Sequence, residues 1–350
     1  MRPRRLSVWP VLIAVLAVAF VISLAVGRFQ LSPRIVMAVL LEGFVPTQWL
    51  APHDVVDELP GGLDAARRVV WDVRLPRLML GALVGSSLAI CGAALQGAFR
   101  NVLVGPQVLG ISSGAAWGGC LALLLTTSLP AIMGGAFFGG LLAVLAVYFL
   151  ARTQGRTTML MLVLAGVVTS AFFTALTSLV TYFADPDETL PAIVFWLMGS
   201  FATASYFKLA VVALPILSGM ALLMALRFRI NVLSLGEEAA RAAGIAVEPL
   251  RWTLLACVTL VASSSVAVSG TVGWVGLVVP HFARMIVGPD HRVLLPASAL
   301  IGAIYMLVVD TLARTLTSAE IPLGVITALV GAPVFAWLLR RTHARGWHHD

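Results

Sequence analysis

Side chains that could do chemistry are few in this chain, and they are spread over long apolar runs. Six serines in these runs could supply a nucleophile, but no His–Asp or His–Glu pair stands where it could activate one: Ser112, Ser113, Ser263, Ser264, Ser265 and Ser269. Asp310 is the candidate for an acid that carries an ion through the membrane, and Arg314 follows it by one helical turn. This pattern favours neither an intramembrane hydrolase nor an ion-coupled transporter.

A denser group of charged residues occupies the segment 231–249, between two apolar runs. Gly236 stands at its start, Glu237 and Glu238 follow in the first turn, and Gly244 ends an alanine-rich body. Acidic residues suit the positive end of a helix dipole, and glycine suits the residue after a helix. The segment predicts a helix of about three turns. It is either an ordinary ordered loop or a surface on which a soluble partner pushes.

Composition places the chain in a membrane. It is 60% hydrophobic and 11% charged, with a mean hydropathy of +0.99, whereas about a quarter of the residues in soluble domains are charged. The net charge of +7 does not indicate nucleic-acid binding, because the arginines are scattered and no basic patch with interleaved aromatics occurs. Cys91, Cys120 and Cys257 lie in apolar runs without metal-ligand spacing, so no metal site is expected.

Apolar segments of about 20 residues can cross a membrane core of about 30 Å. We predict an all-α, polytopic fold with ten spans at 9–26, 76–97, 108–127, 131–151, 158–183, 207–226, 252–270, 274–287, 295–313 and 322–340. Glycine and proline in 252–287 predict two helices that meet at a broken bend. Glycines at spacings of four, such as Gly81 and Gly85 or Gly110, Gly114 and Gly118, predict close helix packing.

The distribution of basic residues predicts the orientation. With ten spans both termini lie on one side, and most of the 23 Lys and Arg residues fall in loops on that side, which is therefore cytoplasmic. The segment 231–249 is then cytoplasmic, and 27–73 forms a periplasmic loop. The basic start and first apolar run are interpreted as a retained span, since no clear cleavage site follows. Residues 1–350 are predicted to form a single transmembrane domain.

Several motifs recur in an order that goes beyond composition. They are RLPRL from Arg74, GAALQGAFRN from Gly92, LGISSGA from Leu109, FWLMGS from Phe195, GWVGLVVPHFAR from Gly273, GPDHR from Gly288, DTLAR from Asp310 and EIPLGVITALVGAPVF from Glu320. Together they resemble the FecCD family, the permease subunits of type II ABC importers for iron–siderophores, haem and cobalamin. The resemblance runs from about residue 60 to near the end of the chain.

This resemblance implies a ten-helix permease that works as a homodimer in the bacterial inner membrane, with the pathway on the two-fold axis. Two copies of a cytoplasmic ABC ATPase bind one face, and a periplasmic substrate-binding protein docks on the other. No Walker A sequence occurs in the chain, so ATP and Mg²⁺ are expected on the ATPase subunit. The chain itself is expected to be no enzyme and to bind no cofactor.

The resemblance also assigns roles to residues. Arg74, Arg77 and Arg314 are expected to meet acidic residues of the binding protein, because arginine pairs with carboxylates in a fixed geometry. Alternatively, Arg314 pairs with Asp310, and the other two reach lipid headgroups. The segment 231–249 corresponds to the coupling helix that fits the ATPase, with the contacts Gly236, Glu237, Glu238, Ala239, Ala240, Arg241, Ala243 and Gly244.

A cytoplasmic gate and a substrate pathway follow from the same comparison. The gate is expected at Asn101, Leu103, Thr157 and Thr158, although Val102 stands where the family usually has proline. The pathway is expected to include Trp196, Met198, Ser200 and Phe201. Siderophore-bound iron is the expected cargo, and haem, cobalamin and an oxyanion such as molybdate remain alternatives.

Overall fold

The computed structural model describes residues 8–42, 61–153 and 156–346. Within these ranges the fold is almost entirely helical, because long apolar segments satisfy their backbone hydrogen bonds internally. The exception is a pair of two-residue antiparallel strands, β1 (Arg152–Thr153) and β2 (Arg156–Thr157). The acidic stretch Pro52–Pro60 of the predicted periplasmic loop lies outside the described residues.

All ten predicted spans correspond to helices. In chain order the helices are α1 (Val8–Ala25), α2 (Pro33–Leu40), α3 (Gly62–Arg68), α4 (Leu75–Phe99), α5 (Ile111–Leu125), α6 (Leu129–Ala151), α7 (Met159–Phe183), α8 (Thr189–Met198), α9 (Tyr206–Ala225), α10 (Arg227–Leu233), α11 (Glu237–Ala242), α12 (Val247–Ser269), α13 (Val275–Val287), α14 (His291–Thr315) and α15 (Leu323–Gly346). A π-helical turn, Val69–Arg74, joins α3 to α4. The predicted spans correspond to α1, α4 to α7, α9 and α12 to α15.

Seven helical stretches of the described chain are long and apolar enough to cross a membrane. They are α1, the continuous stretch Gly62–Phe99, α6, α7, α9, α12 and α14. Shorter apolar helices accompany them: α5, α8, α13 and the Leu323–Trp337 part of α15. The ten-residue helix α8 was not predicted, because it is too short for a span and has no distinctive cap.

The predicted bend between α12 and α13 is confirmed. Helix α12 ends at Ser269 and is followed by Gly270, with φ at 65°. Helix α13 starts after Trp274, whose φ of 67° lies in the left-handed region. The Trp274 ring packs at the edge of Phe335 on α15, 6.0 Å between centroids. A Cβ atom on Gly331 would lie only 2.6 Å from the Cβ of Trp274. The broken backbone is therefore enclosed by protein, as irregular structure at membrane depth requires.

The centre of the bundle is formed by α4 and α12. In the stretch that contains α4 and in α12, 78% of an 18-residue apolar window is buried, compared with 22% in α1 and 28% in α7. The latter two helices therefore lie at the periphery. Glycines allow α4 to approach its neighbours closely. A Cβ on Gly85 would lie 2.2 Å from the carbonyl oxygen of Gly302 on α14, and a Cβ on Gly302 would lie 2.3 Å from the Gly85 oxygen. Hydrogen in place of a side chain is required at this crossing.

A Gly302→Val substitution is expected to destabilise the fold by about 3 kcal/mol, at the upper end for over-packing, because the obstructing atom is backbone. Gly134→Val on α6 is the matched control, since a Cβ there meets nothing within 4 Å. Thermal unfolding in detergent measures both variants. Equal unfolding temperatures for the two would contradict the close α4–α14 contact.

Candidate functional site

The three arginines predicted to dock a binding protein lie together where α1 ends, α4 begins and α14 ends. The Nε atom of Arg77 donates to Asp310 Oδ1 at 2.9 Å, and its two terminal nitrogens donate to Glu320 at 3.0 and 2.9 Å. Arg314 Nε lies 3.1 Å from Asp310 Oδ2. The side chain of Asp310 is 1% exposed and those of Arg77 and Arg314 are 6% and 8% exposed. Asp310 is therefore a buried carboxylate held between two guanidinium groups.

Arg74 binds backbone carbonyls instead of carboxylates. Its Nη1 atom donates to Ala25 at 3.0 Å and also to Leu24, and its Nη2 atom donates to Phe29. The carbonyls of Leu24 and Ala25 belong to the last turn of α1 and have no helical partners, whereas Phe29 lies in the loop that follows. Arg74 is buried, so it does not extend towards lipid headgroups.

These contacts bear differently on the two interpretations of the arginines. The Arg314–Asp310 pair is confirmed. The alternative of Arg74 and Arg77 reaching lipid headgroups is wrong, since both are buried and bound within the chain. Docking of a binding protein by the three arginines stays a prediction, and such a partner would have to compete with the intramolecular carboxylates and carbonyls.

The charged segment forms the short helix α11, six residues long, not the predicted three turns. Gly236 precedes it with φ at 130°, and Gly244 follows with φ at 76°. Glu237 bonds Arg241 at 2.7 Å and Arg251 of α12 at 2.6 Å. The Arg251 side chain is only 2% exposed, so its ion pair with Glu237 holds α11 against the N-terminal end of α12.

The contacts predicted for an ATPase divide between two faces of this segment. Ala240 is fully buried in the core, so its assignment as a partner contact is wrong. Gly236 is buried and Glu237 is half-buried. The exposed face carries Glu238, Ala239, Arg241, Ala243 and Gly244. A cavity of about 740 Å³ beside the helix is lined by both Glu237 and Thr158.

The loop after α4 carries the predicted gate residues. Arg100 adopts a left-handed conformation with φ at 48° and ends the helix, and Asn101 Oδ1 accepts a hydrogen bond from the Leu103 amide at 2.9 Å. This bond turns the chain so that Leu103 is 47% exposed. Thr158 caps α7 by accepting from the Met161 amide at 3.3 Å, and Thr157 lies in β2, its side chain outside the described residues. A gate role for these residues stays a prediction.

The structure separates the four residues predicted to line the pathway. Phe201 is 1% exposed and packs over Gly81, so its assignment to an open pathway is wrong. The ring of Trp196 is partly buried and packs against Gly119, where a Cβ would lie 2.2 Å from it. Ser200 Oγ accepts from the amide of Ala202 at 3.0 Å and stabilises a turn. Met198 lines a cavity of about 500 Å³.

A cavity of about 390 Å³ next to the one at Met198 is lined by polar residues, none of which was predicted to line the pathway. It lies between α5 and α7, and none of the described residues lining it carries a charge. The polar residues that line it are Gln107, Ser112, Ser113, Thr174, Thr177, Ser178, Thr181 and Thr271. We call it the hydroxyl cleft. It shares Leu197 and Thr271 with the cavity at Met198, so the two adjoin.

Hydroxyl groups on one face of α7 form much of this cleft. Thr174, Thr177, Ser178 and Thr181 follow one another at helical spacing, a signal that was available in the sequence. Thr177 donates to the Phe173 carbonyl at 2.9 Å. Ser178 donates to the Thr174 carbonyl at 3.1 Å, and Thr181 donates to the Ser178 carbonyl at 2.8 Å. Since a hydroxyl can rotate between a carbonyl and another acceptor, the cleft offers exchangeable neutral hydrogen bonds.

Known proteins are similar to this chain over most of its length. Residues 15–341 match the model of the FecCD transport family. The molybdate import system permease protein MolB of Haemophilus influenzae is 40% identical over 331 residues, covering 95% of this chain and 94% of that protein. A probable iron chelatin transport permease of Helicobacter pylori is 43% identical over 274 residues, covering 78% of this chain and 83% of that protein.

A solved structure extends the similarity to three dimensions. It is a metal-chelate type ABC transporter in an inward-facing conformation, 40% identical, with a TM-score of 0.82. The match covers 94% of this chain and 97% of the other. Agreement of sequence and fold over this length identifies the chain as a member of the FecCD transport family, a permease of type II ABC importers.

Proposed function

We propose that this permease imports a metal held by oxygen ligands, either iron in a siderophore chelate or molybdate, across the bacterial inner membrane. A periplasmic binding protein delivers the cargo, the permease acts as a homodimer, and separate ATPase subunits drive transport by pressing on α11. Both termini lie in the cytoplasm in this arrangement. The permease itself needs no cofactor, and ATP and Mg²⁺ are used by its partner.

The hydroxyl cleft is the observation that carries this proposal. An oxygen-rich cargo needs hydrogen-bonding groups as it leaves water, and rotatable hydroxyls supply them. A charged lining would hold an anion or a metal complex tightly and slow its release. Because the cleft offers neutral groups that already have backbone partners, binding is weak and release is fast. A transporter benefits from both.

The charge cluster argues against an ion-coupled mechanism. A coupling acid must exchange its ion during transport. Asp310 is instead 1% exposed and held by Arg77 and Arg314, so its negative charge is already compensated. ATP-driven transport requires no such acid in the permease.

Molybdate is favoured as the second candidate by two observations. The relative named for molybdate import matches 95% of this chain, and the hydroxyl groups of the uncharged cleft could donate hydrogen bonds to the oxygen atoms of a tetrahedral oxyanion. The relative named for iron chelatin transport matches a smaller share, 78%. Siderophore-bound iron stays the other candidate because its oxygen ligands have the same hydrogen-bonding needs.

Reconstitution in proteoliposomes with the partner ATPase and binding protein tests the function. ATP-dependent uptake of labelled molybdate or ferric siderophore is expected, and uptake that requires a proton gradient but no ATP would contradict it. A Thr177→Val/Ser178→Ala double variant is expected to reduce uptake about tenfold, the effect of about 1.4 kcal/mol. Thr253→Val/Ser218→Ala is the control, since these hydroxyls also donate to carbonyls of their own helices but lie outside the cleft. An equal loss of uptake in both double variants would show that the cleft does not line the transport pathway.

A further inference from the structure

A cavity of about 980 Å³ lies where α1 and α14 end, far larger than the hydroxyl cleft. Its wall is apolar on the α1 side, at Ile22 and Val26. The same cavity is also lined by Arg28 and by the hydroxyl residues Thr315 and Thr317. One cavity therefore offers an apolar surface beside a cation and hydrogen-bonding groups.

The apolar wall continues along the whole of α1. Val11, Val15, Val18, Ile22 and Val26 recur at spacings of three and four, so they share one helix face, and they are 42–59% exposed. At 1.5 Å per residue this stripe is about 22 Å long. One leaflet of the hydrocarbon core measures about 15 Å. The stripe, which we call the α1 stripe, is long enough to hold a complete acyl chain.

Positive charge is concentrated at the cavity end of the α1 stripe. A Cβ on Gly27, which lines the cavity, would lie 2.7 Å from Arg74 Nη2 and 3.2 Å from Arg314 Nη1. The two guanidinium groups thus meet beside the cavity. Arg28 is exposed there, and its terminal nitrogen donates to the Ser318 carbonyl.

The carboxylates of this region only partly balance these charges. Among the described residues, Arg28, Arg74, Arg77 and Arg314 share the carboxylates Asp310 and Glu320. Both of these carboxylates pair with Arg77, which leaves Arg28 and Arg74 with carbonyl partners. Within the part of the chain that the structure describes, the charges of Arg28 and Arg74 are therefore not balanced by a carboxylate, and an anion in the cavity would be attracted to them. The burial of Arg74 strengthens its share of this attraction, because the dielectric around it is lower than in water.

We propose that the cavity binds the phosphate group of an anionic phospholipid, with one acyl chain lying along the α1 stripe. Arg28 contacts the phosphate directly, and Arg74 and Arg314 add attraction from behind Gly27. A soluble anion would use the charge but leave the α1 stripe unused. An acidic segment of another protein would also leave the α1 stripe unused, because α1 is a membrane span and its apolar face lies at the depth of the lipid acyl chains. A phospholipid uses both features.

Lipid binding to the full-length chain in a mild detergent tests this proposal. Native mass spectrometry counts bound phosphatidylglycerol and phosphatidylcholine during titration with each lipid. The native chain is expected to prefer phosphatidylglycerol, and Arg28→Gln is expected to lower its binding at least about fivefold while phosphatidylcholine is unchanged. Arg34→Gln is the matched control, because Arg34 is exposed on α2 but does not line the cavity.

Two further variants separate the parts of the site. Arg28→Lys keeps the positive charge and is expected to keep the preference for phosphatidylglycerol, which guards against a folding defect in Arg28→Gln. Ile22→Asn interrupts the α1 stripe and is expected to weaken phosphatidylglycerol binding although all arginines remain.

Four results would overturn the proposal. The first is equal loss of phosphatidylglycerol from Arg28→Gln and Arg34→Gln, and the second is loss from Arg28→Lys equal to that from Arg28→Gln. The third is displacement of the lipid by inorganic phosphate at the same concentration, which would assign the cavity to a soluble anion. The fourth is unchanged lipid binding by Arg28→Gln with weaker binding of the periplasmic protein, which would assign it to a protein partner.

Discussion

An Asp310→Asn variant is expected to lose about 3–5 kcal/mol of stability, the typical cost of removing one partner from a buried ion pair. The asparagine keeps the shape of the side chain but leaves Arg77 and Arg314 facing one another without the carboxylate between them. Arg77 keeps Glu320, whereas Arg314 keeps only backbone carbonyls and a threonine hydroxyl. Thermal unfolding in detergent should show a large downward shift in Tm.

A compensating substitution tests whether charge balance is the cause. Adding Arg314→Gln to Asp310→Asn removes the unpaired cation and should recover part of the lost stability, a coupling that a double-mutant cycle measures. Asp64→Asn is the exposed control: its pair with Arg67 is at the surface, where loss of a pair costs about 0–1 kcal/mol. If Asp310→Asn were as mild as this control, the buried cluster would not stabilise the bundle.

A Glu238→Arg variant is expected to lose most of its bound ATPase while keeping its own fold. Glu238 is exposed on α11, so reversing its charge changes the predicted contact surface and little within the chain. Glu237→Arg is expected to lower both ATPase binding and the stability of the fold, because it also removes one of the two carboxylates, Glu237 and Glu248, that pair with the buried Arg251. Loss of one close charge pair at a protein interface costs about 1.5–7 kcal/mol, or at least about tenfold in affinity.

Copurification of the ATPase with tagged permease measures the loss of bound ATPase, and thermal unfolding measures the stability of the permease fold. Glu188→Arg, an exposed reversal just before α8, serves as the control for net charge. Full retention of the ATPase by Glu238→Arg would show that α11 does not carry the contact. A fall in Tm for Glu238→Arg equal to that of Glu237→Arg would show that its effect is structural.

Most of the fold could be predicted from the sequence because membrane spans depend on local composition. Each predicted span has a helix, and the glycines of 252–287 correctly indicated the break at Gly270. Segment 231–249 was harder. Its glycines correctly marked the ends of a helix, but the interval 237–243 between them is too short for the three turns predicted, and α11 has six residues. No local rule indicated that α10 would precede it.

The site was less accessible to sequence reasoning, because its contacts join distant positions. The pairing of Arg77 with Glu320 spans 243 residues, and nothing near either residue indicates the other. Phe201 was assigned to the substrate pathway and Ala240 to the ATPase contact, but long-range packing buries both side chains. The hydroxyl cleft is different: the spacing of Thr174, Ser178 and Thr181 on α7 was visible and only needed to be read as a helix face.

The unusual backbone of Trp274 connects the bend between α12 and α13 to α15. A bulky residue at positive φ costs about 1–3 kcal/mol and persists only where its surroundings hold it. Here the surroundings are Gly331 and Phe335, both on α15. Displacing α15 would remove the contacts that hold the indole and would let the strained peptide relax. A movement of α15 should therefore be accompanied by a change in the α12–α13 bend whenever the permease changes conformation.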